Sequence, residues 1–179
     1  LFLCSQKELD WFFDGIQTVF PENWRELRNY LPEDERDDIL QAYHKRLIDP
    51  DRQIHEPAAR AWGRFEGACS TLLPNPRSVA GLDSGRVSLA LARIEAHYFV
   101  NEFYLPEGHF FSNIDKIRHI PAVIVQGRYD MVCPIVTADK LVQDWTDASL
   151  VIVPDAGHSA MEPAVRSALV AATERFKAQ

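Results

Sequence analysis

The sequence has few of the features that mark a stapled, basic or membrane-bound protein. Its three cysteines, Cys4, Cys69 and Cys133, are an odd number without paired spacing. They make neither a disulfide framework nor a metal site, and no cofactor or metal is implied. Lys and Arg total 19 against 26 Asp and Glu, a net charge of −7. A nucleic-acid-binding face is a basic patch, so that class of partner is excluded. No apolar run approaches the length of a membrane span, and the opening Leu1-Phe-Leu-Cys-Ser lacks a basic segment followed by a cleavage site. The expectation is a soluble cytoplasmic protein with no membrane partner. Composition leaves its oligomeric state open. With 46% hydrophobic residues among 179, the chain can bury a sizeable core.

Two stretches organise what is there. Pro121-Ala-Val-Ile-Val-Gln-Gly-Arg-Tyr-Asp130 and Leu150-Val-Ile-Val-Pro-Asp-Ala-Gly-His158 each begin with a short Val- and Ile-rich run. Such a run reads as a strand of a parallel sheet buried on both faces. Between them, Ala138, Leu141, Val142 and Trp145 fall at helical spacing, which makes a strand, helix, strand unit. Ser159-Ala-Met-Glu162 has the pattern of a capping box, and Val165, Leu169, Ala172 and Phe176 mark a closing amphipathic helix. Sites in parallel sheets form at the carboxyl ends of strands, so Asp130 and His158 are expected at one rim. Acid then histidine is the chain order of the last two members of an α/β-hydrolase triad. Alone, this pattern also fits a loop aspartate and a solvated surface histidine.

The preceding residues read as helices: Lys7 to Phe13, a segment opened by Pro21, one led by the acidic run Pro32 to Asp38, one begun by Pro57, and one over Ser88 to Phe103. Pro74-Asn-Pro-Arg and Gly81-Leu-Asp-Ser-Gly85 read as loop. Glu66 lies among Trp62, Phe65 and Cys69, and Glu95 among Leu91, Tyr98 and Phe99, so each shares an apolar helix face. A buried carboxylate needs a partner or a proton. Arg64 and Arg93 are candidate partners; a cationic ligand is the other possibility.

Gly127-Arg-Tyr-Asp-Met-Val-Cys-Pro134 and Val153-Pro-Asp-Ala-Gly-His-Ser-Ala-Met-Glu-Pro163 resemble the acid and histidine motifs of the proline iminopeptidases, prolyl aminopeptidases of the α/β-hydrolase superfamily. The resemblance extends over nearly the whole chain. It implies an α/β fold, with the last two parallel strands and helices of a hydrolase in 120–179 and an all-helical cap, or lid, in 1–119. It also implies a serine-type peptidase acting on peptides with N-terminal proline, in which Asp130 and His158 are catalytic. Ala61-Trp-Gly-Arg-Phe-Glu-Gly67 and Ala92-Arg-Ile-Glu-Ala-His-Tyr98 resemble the motifs whose glutamates bind the substrate's imino group. Glu66 and Glu95 are thereby substrate-binding candidates, with Phe65, Tyr98 and Phe99 as candidate walls of a proline pocket. His97 points elsewhere on its helix and reads as structural.

The sequence departs from the family in one respect. The turn G-x-S-x-G that presents the nucleophilic serine does not occur. Gly81-Leu-Asp-Ser-Gly85 has the wrong spacing, and Cys133 sits in the acid's own loop rather than on a nucleophile turn. The expectation is that the nucleophile lies upstream of Leu1 and that this chain alone is inactive. Two other readings stay open: another capped hydrolase, such as an esterase or epoxide hydrolase, and a non-catalytic helical binding module.

Overall fold

In a computed structural model, residues 1–82 and 85–177 are described. Their elements in chain order are α1 Gln6–Phe13, α2 Pro21–Asn29, α3 Ile39–Leu47, α4 Arg52–Cys69, α5 Pro76–Leu82, α6 Gly85–Val100, α7 His109–Ser112, β1 Ala122–Gly127, α8 Val136–Asp144, β2 Ala148–Val153 and α9 Pro163–Lys177. They divide into two compact units. One contains Leu1–Glu8, Ser70–Leu73 and Pro106–Gln179; the other contains Leu9–Cys69 and Pro74–Leu105. The expected division at His119 therefore differs from the observed one. The helical unit ends at Leu105, and the first eight residues cluster with the strands. No helix among the described residues is long and apolar enough to cross a membrane.

In the strand-bearing unit, β1 and β2 pair in parallel, from Ala122 opposite Ala148 to Gly127 opposite Val153. Successive strand residues face opposite ways, and β1 uses both faces. Ile124 packs into a cluster with Leu3, Ile114 and Leu141 of α8. Its neighbour Val125 packs against Val153, Ala156 and Val165 of α9. The two helices thus cover opposite faces of the pair. The strands are nevertheless not buried throughout, as the apolar runs suggested. Val151 is 40% and Ile152 37% exposed.

The helical unit is built around aromatic side chains. Trp62 is fully buried and packs against Phe12, Phe13, Tyr43 and Phe99 at ring separations of 5.5–6.3 Å. Tyr43 is also fully buried, and its hydroxyl donates to Leu27 O at 2.7 Å. Burial drives the Tyr43 phenol far above its ordinary range, so it stays neutral. A helix, α5, replaces part of the expected loop. It runs close to α4 at Gly63, where a Cβ would come within 2.4 Å of Leu82 O. Asp83 and Ser84 of the glycine-flanked string lie outside the described residues. The helix α4 starts at Arg52, five residues before the expected Pro57. Pro57 is the sixth residue of α4, just beyond the first four N–H groups that lack an intrahelical acceptor, so it removes one backbone hydrogen bond from the second turn.

Candidate active site

At its carboxyl end β1 runs out in Gly127, where no other residue fits. A Cβ there would come within 1.9 Å of Gly157 O and 2.7 Å of Ala156 O. The missing side chain lets the loop after β2 cross directly over the end of β1. Two backbone bonds fasten the crossing, Arg128 N to Val153 O at 2.8 Å and Tyr129 N to Ala156 O at 2.9 Å, and Asp130 N to Gly127 O at 3.3 Å closes the turn that carries the acid. Asp130 and His158 consequently meet. The ring Nδ1 of His158 lies 3.1 Å from Asp130 Oδ1 and 3.0 Å from Oδ2.

Asp130 is 4% exposed, and N–H groups supply what water would. Cys133 N donates to Oδ1 at 2.7 Å, and Gln126 Nε2 donates to Oδ2 at 2.8 Å. Both carboxylate oxygens are therefore acceptors, so the proton between Asp130 and His158 belongs on Nδ1. That tautomer leaves Nε2 with its lone pair, the form a general base requires. Cys133 contributes its backbone N–H, while its side chain is buried.

The backbone around His158 has its own anchors. His158 N and Ser159 N both donate to Ser70 O, at 2.9 and 2.8 Å. Glu162 accepts from Gly157 N at 2.7 Å and from Leu72 N at 3.3 Å. The expected capping box does not form. The Ser159 N–H that Glu162 would have capped is already bonded to Ser70, and Glu162 turns to the backbone on the other side of His158. Sequence reasoning missed these residues for different reasons. Gln126 carried a signal as the polar residue closing an apolar run; Ser70, 88 residues from His158 in sequence, carried none.

The second group of candidates lies within the helical unit. Glu66, near the end of α4, and Glu95, on α6, are hydrogen-bonded to each other. Trp62 Nε1 donates to Glu95 Oε2 at 2.9 Å, and Oε2 of Glu66 is closed off from solvent. Burial first, and then the neighbouring charge of Glu95 and their mutual hydrogen bond, push the Glu66 carboxyl well above the usual carboxylate range. The pair therefore holds a proton. Nearby Cys69 is pushed up to about 12, by burial and then by Glu22 and Glu66, so its thiol is inert. Arg93, a candidate partner, is directed elsewhere: Nε donates to Leu47 O, and Nη2 lies 3.3 Å from His55 Nδ1.

Of the three candidate pocket walls, Phe65 and Phe99 both pack on Phe12, and Tyr98 turns away from them. Phe65 is 2% exposed and packs on Phe12 in the core. Phe99 packs between Trp62, Phe13 and Phe103. Tyr98 is 48% exposed and turns toward His97 and Tyr104. Adjacent helix positions point about 100° apart, so Tyr98 and Phe99 leave α6 in different directions. His97 is exposed, with Nε2 3.1 Å from the Tyr104 hydroxyl. Among the described residues no group of three or more His, Cys, Asp or Glu side chains is arranged to hold a metal ion.

The chain is 47% identical to a proline iminopeptidase of Arabidopsis thaliana over 99% of its own length and 48% of the relative's. It is 44% identical to a probable proline iminopeptidase of Leptolyngbya boryana, covering 100% of the chain and 56% of the relative. It is 43% identical to a proline iminopeptidase of Xanthomonas citri, covering 98% and 57%. The chain spans about half the length of these curated relatives. Residues 56–164, which carry Glu66, Glu95, Asp130 and His158, match the family model described as the alpha/beta hydrolase fold, and the chain belongs to that family.

Proposed function

We propose that this chain supplies the acid, the base and the substrate-recognition carboxylates of a serine-type aminopeptidase that releases N-terminal proline from peptides. The nucleophilic serine and its oxyanion hole come from sequence upstream of Leu1. The observation that carries this reading is the Glu66–Glu95 pair, because a half-buried carboxyl pair holding one proton is a receptor for a cation. An N-terminal proline presents such a cation, a secondary ammonium. When it binds, the shared proton leaves and both carboxylates become its counter-charge. An esterase or epoxide hydrolase handling neutral substrates has no need of such a pair.

In the reaction, Nε2 of His158 takes the serine proton as the serine oxygen attacks the prolyl carbonyl. Asp130 stabilises the resulting imidazolium through Nδ1. The imidazolium then gives that proton to the leaving amine as the C–N bond breaks, which produces a prolyl ester of the enzyme. Water repeats the sequence: His158 takes its proton, the ester is cleaved and the serine is reprotonated. Every proton passes through Nε2, so Asp130 stays a carboxylate throughout.

The test uses a form extended upstream to the length of the relatives. It should hydrolyse prolyl-β-naphthylamide, and Glu66→Gln and Glu95→Gln should lose activity on that substrate far more than on a neutral ester. Equal losses on both substrates would assign the pair to folding and remove the aminopeptidase reading. The missing G-x-S-x-G favours one alternative, a non-catalytic binding module. That alternative requires the extended form to be inactive as well.

A further inference from the structure

Gln126 puts an amide on an apolar strand. It follows Val123, Ile124 and Val125, shares a strand face with Ile124 and is 2% exposed. A buried amide is tolerated only when its polar atoms are bonded, and those of Gln126 are. Nε2 donates to Asp130 Oδ2 at 2.8 Å and to Cys133 O at 2.9 Å; Oε1 accepts from the Leu1 nitrogen at 2.7 Å. These partners settle which end is nitrogen. The Cys133 carbonyl can only accept, so the NH2 group must face it, and the second hydrogen of that group is then aimed at Asp130.

Cys133 contributes to Asp130 from the other side, through its N–H to Oδ1 at 2.7 Å. One donor would leave the carboxylate free to turn about its Cβ–Cγ bond, because that torsion is soft. Two donors on two oxygens stop the rotation. We infer that Gln126 is a positioning residue for the hydrolytic step: braced on the Cys133 carbonyl, its amide locks the Asp130 carboxylate toward His158 and so keeps the ring proton on Nδ1. The inference rests on the Asp130–His158 reading under Proposed function. It adds that the acid's orientation is set within β1, four residues before the acid itself.

The experiment reads the His158 ring nitrogens by 15N NMR in the upstream-extended protein, beside kcat and KM for prolyl-β-naphthylamide. Gln126→Met keeps the length and apolar fit but has no donor. It should shift a large share of His158 to the tautomer protonated on Nε2 and lower kcat roughly 10- to 100-fold, the scale for a misplaced catalytic group, with KM within about twofold. Gln126→Glu places acceptors against Asp130 Oδ2 and Cys133 O and should shift the tautomer at least as far. If either replacement fails to fold, Gln126→Asn, one methylene short of Asp130, should show the same change. A wild-type tautomer in a folded variant overturns the inference, whether or not kcat falls, since a fall alone would make Gln126 merely structural. A shifted tautomer in a protein with no activity on prolyl substrates upholds it and removes the aminopeptidase reading instead.

Discussion

Asp130 and Glu66 are both shielded carboxyl groups, and the chain treats them in opposite ways. Asp130 is surrounded by N–H donors from Gln126, Cys133 and His158, which occupy both of its oxygens. Glu66 has a second carboxyl, Glu95, as its hydrogen-bond partner, and the indole N–H of Trp62 is spent on Glu95. Burial then favours the proton. The difference fits the two jobs proposed for these residues. A triad acid must be an anion before substrate arrives, whereas a receptor for a cation should become one only when the cation is present.

Removing the charge at each place sharpens that contrast, and Asp130 should give the larger effect. In the upstream-extended protein, Asp130→Asn should lower kcat about 10⁴-fold with little change in fold, because an amide at this position imposes the wrong histidine tautomer. A fall of less than tenfold, measured on prolyl-β-naphthylamide, would show that His158 does not depend on Asp130. Glu66→Gln and Glu95→Gln should each cost about 2–5 kcal/mol in kcat/KM for the prolyl substrate relative to a neutral ester, the range for leaving one member of a hydrogen-bonded charge pair unmatched.

Sequence pattern revealed the first site more fully than the second. Asp130 and His158 could be placed together because strand, loop, helix, strand, loop is a topology with one functional rim, and the two apolar runs declared it. The meeting of Glu66 with Glu95 depends on how α4 and α6 pack, 29 residues apart in sequence, and helical spacing shows only that each glutamate faces apolar neighbours. The same limit explains the aromatic residues. Phe65, Tyr98 and Phe99 share apolar helix stretches, but only packing decides that Phe65 faces Phe12 while Tyr98 faces Tyr104. Ser70 shows the limit most plainly, since a backbone carbonyl that holds the His158 loop has no signature in residue type at all.

The proton on the glutamate pair also makes stability depend on pH. In the unfolded chain Glu66 loses its proton near the ordinary value of 4.5; in the folded chain the value is pushed up to about 9. The folded state thus holds a proton that the unfolded state has released. This contribution to stability is complete below about pH 4.5 and is lost progressively as the pH rises toward 9. Urea unfolding at pH 5, 7 and 9 should show a progressive decline of several kcal/mol in all, and Glu66→Gln should flatten it and stabilise the protein at pH 9. An unchanged slope in Glu66→Gln would place the proton elsewhere. A prolyl amine should oppose the decline, because a bound cation favours the charged pair.

The smallest effect is expected from the residue whose chemistry looks most suggestive. Cys133 lies three positions after Asp130, and a thiol in the loop that carries the acid invites a nucleophilic role. The structure gives that position a different task, in which its N–H fixes Oδ1 of Asp130 and its carbonyl braces Gln126. Both groups are backbone and survive any non-proline substitution. The side chain is 6% exposed, too enclosed to reach a substrate without rearrangement. Cys133→Ala should therefore keep kcat within about threefold of the parent, and it should lose about 1 kcal/mol of stability for the small volume removed. Asp130→Asn in the same assay should be slower by orders of magnitude. If Cys133→Ala instead abolished turnover while its unfolding midpoint stayed near the parent's, the thiol would be part of the chemistry and the reading of Asp130 and His158 as two members of a serine triad would fail.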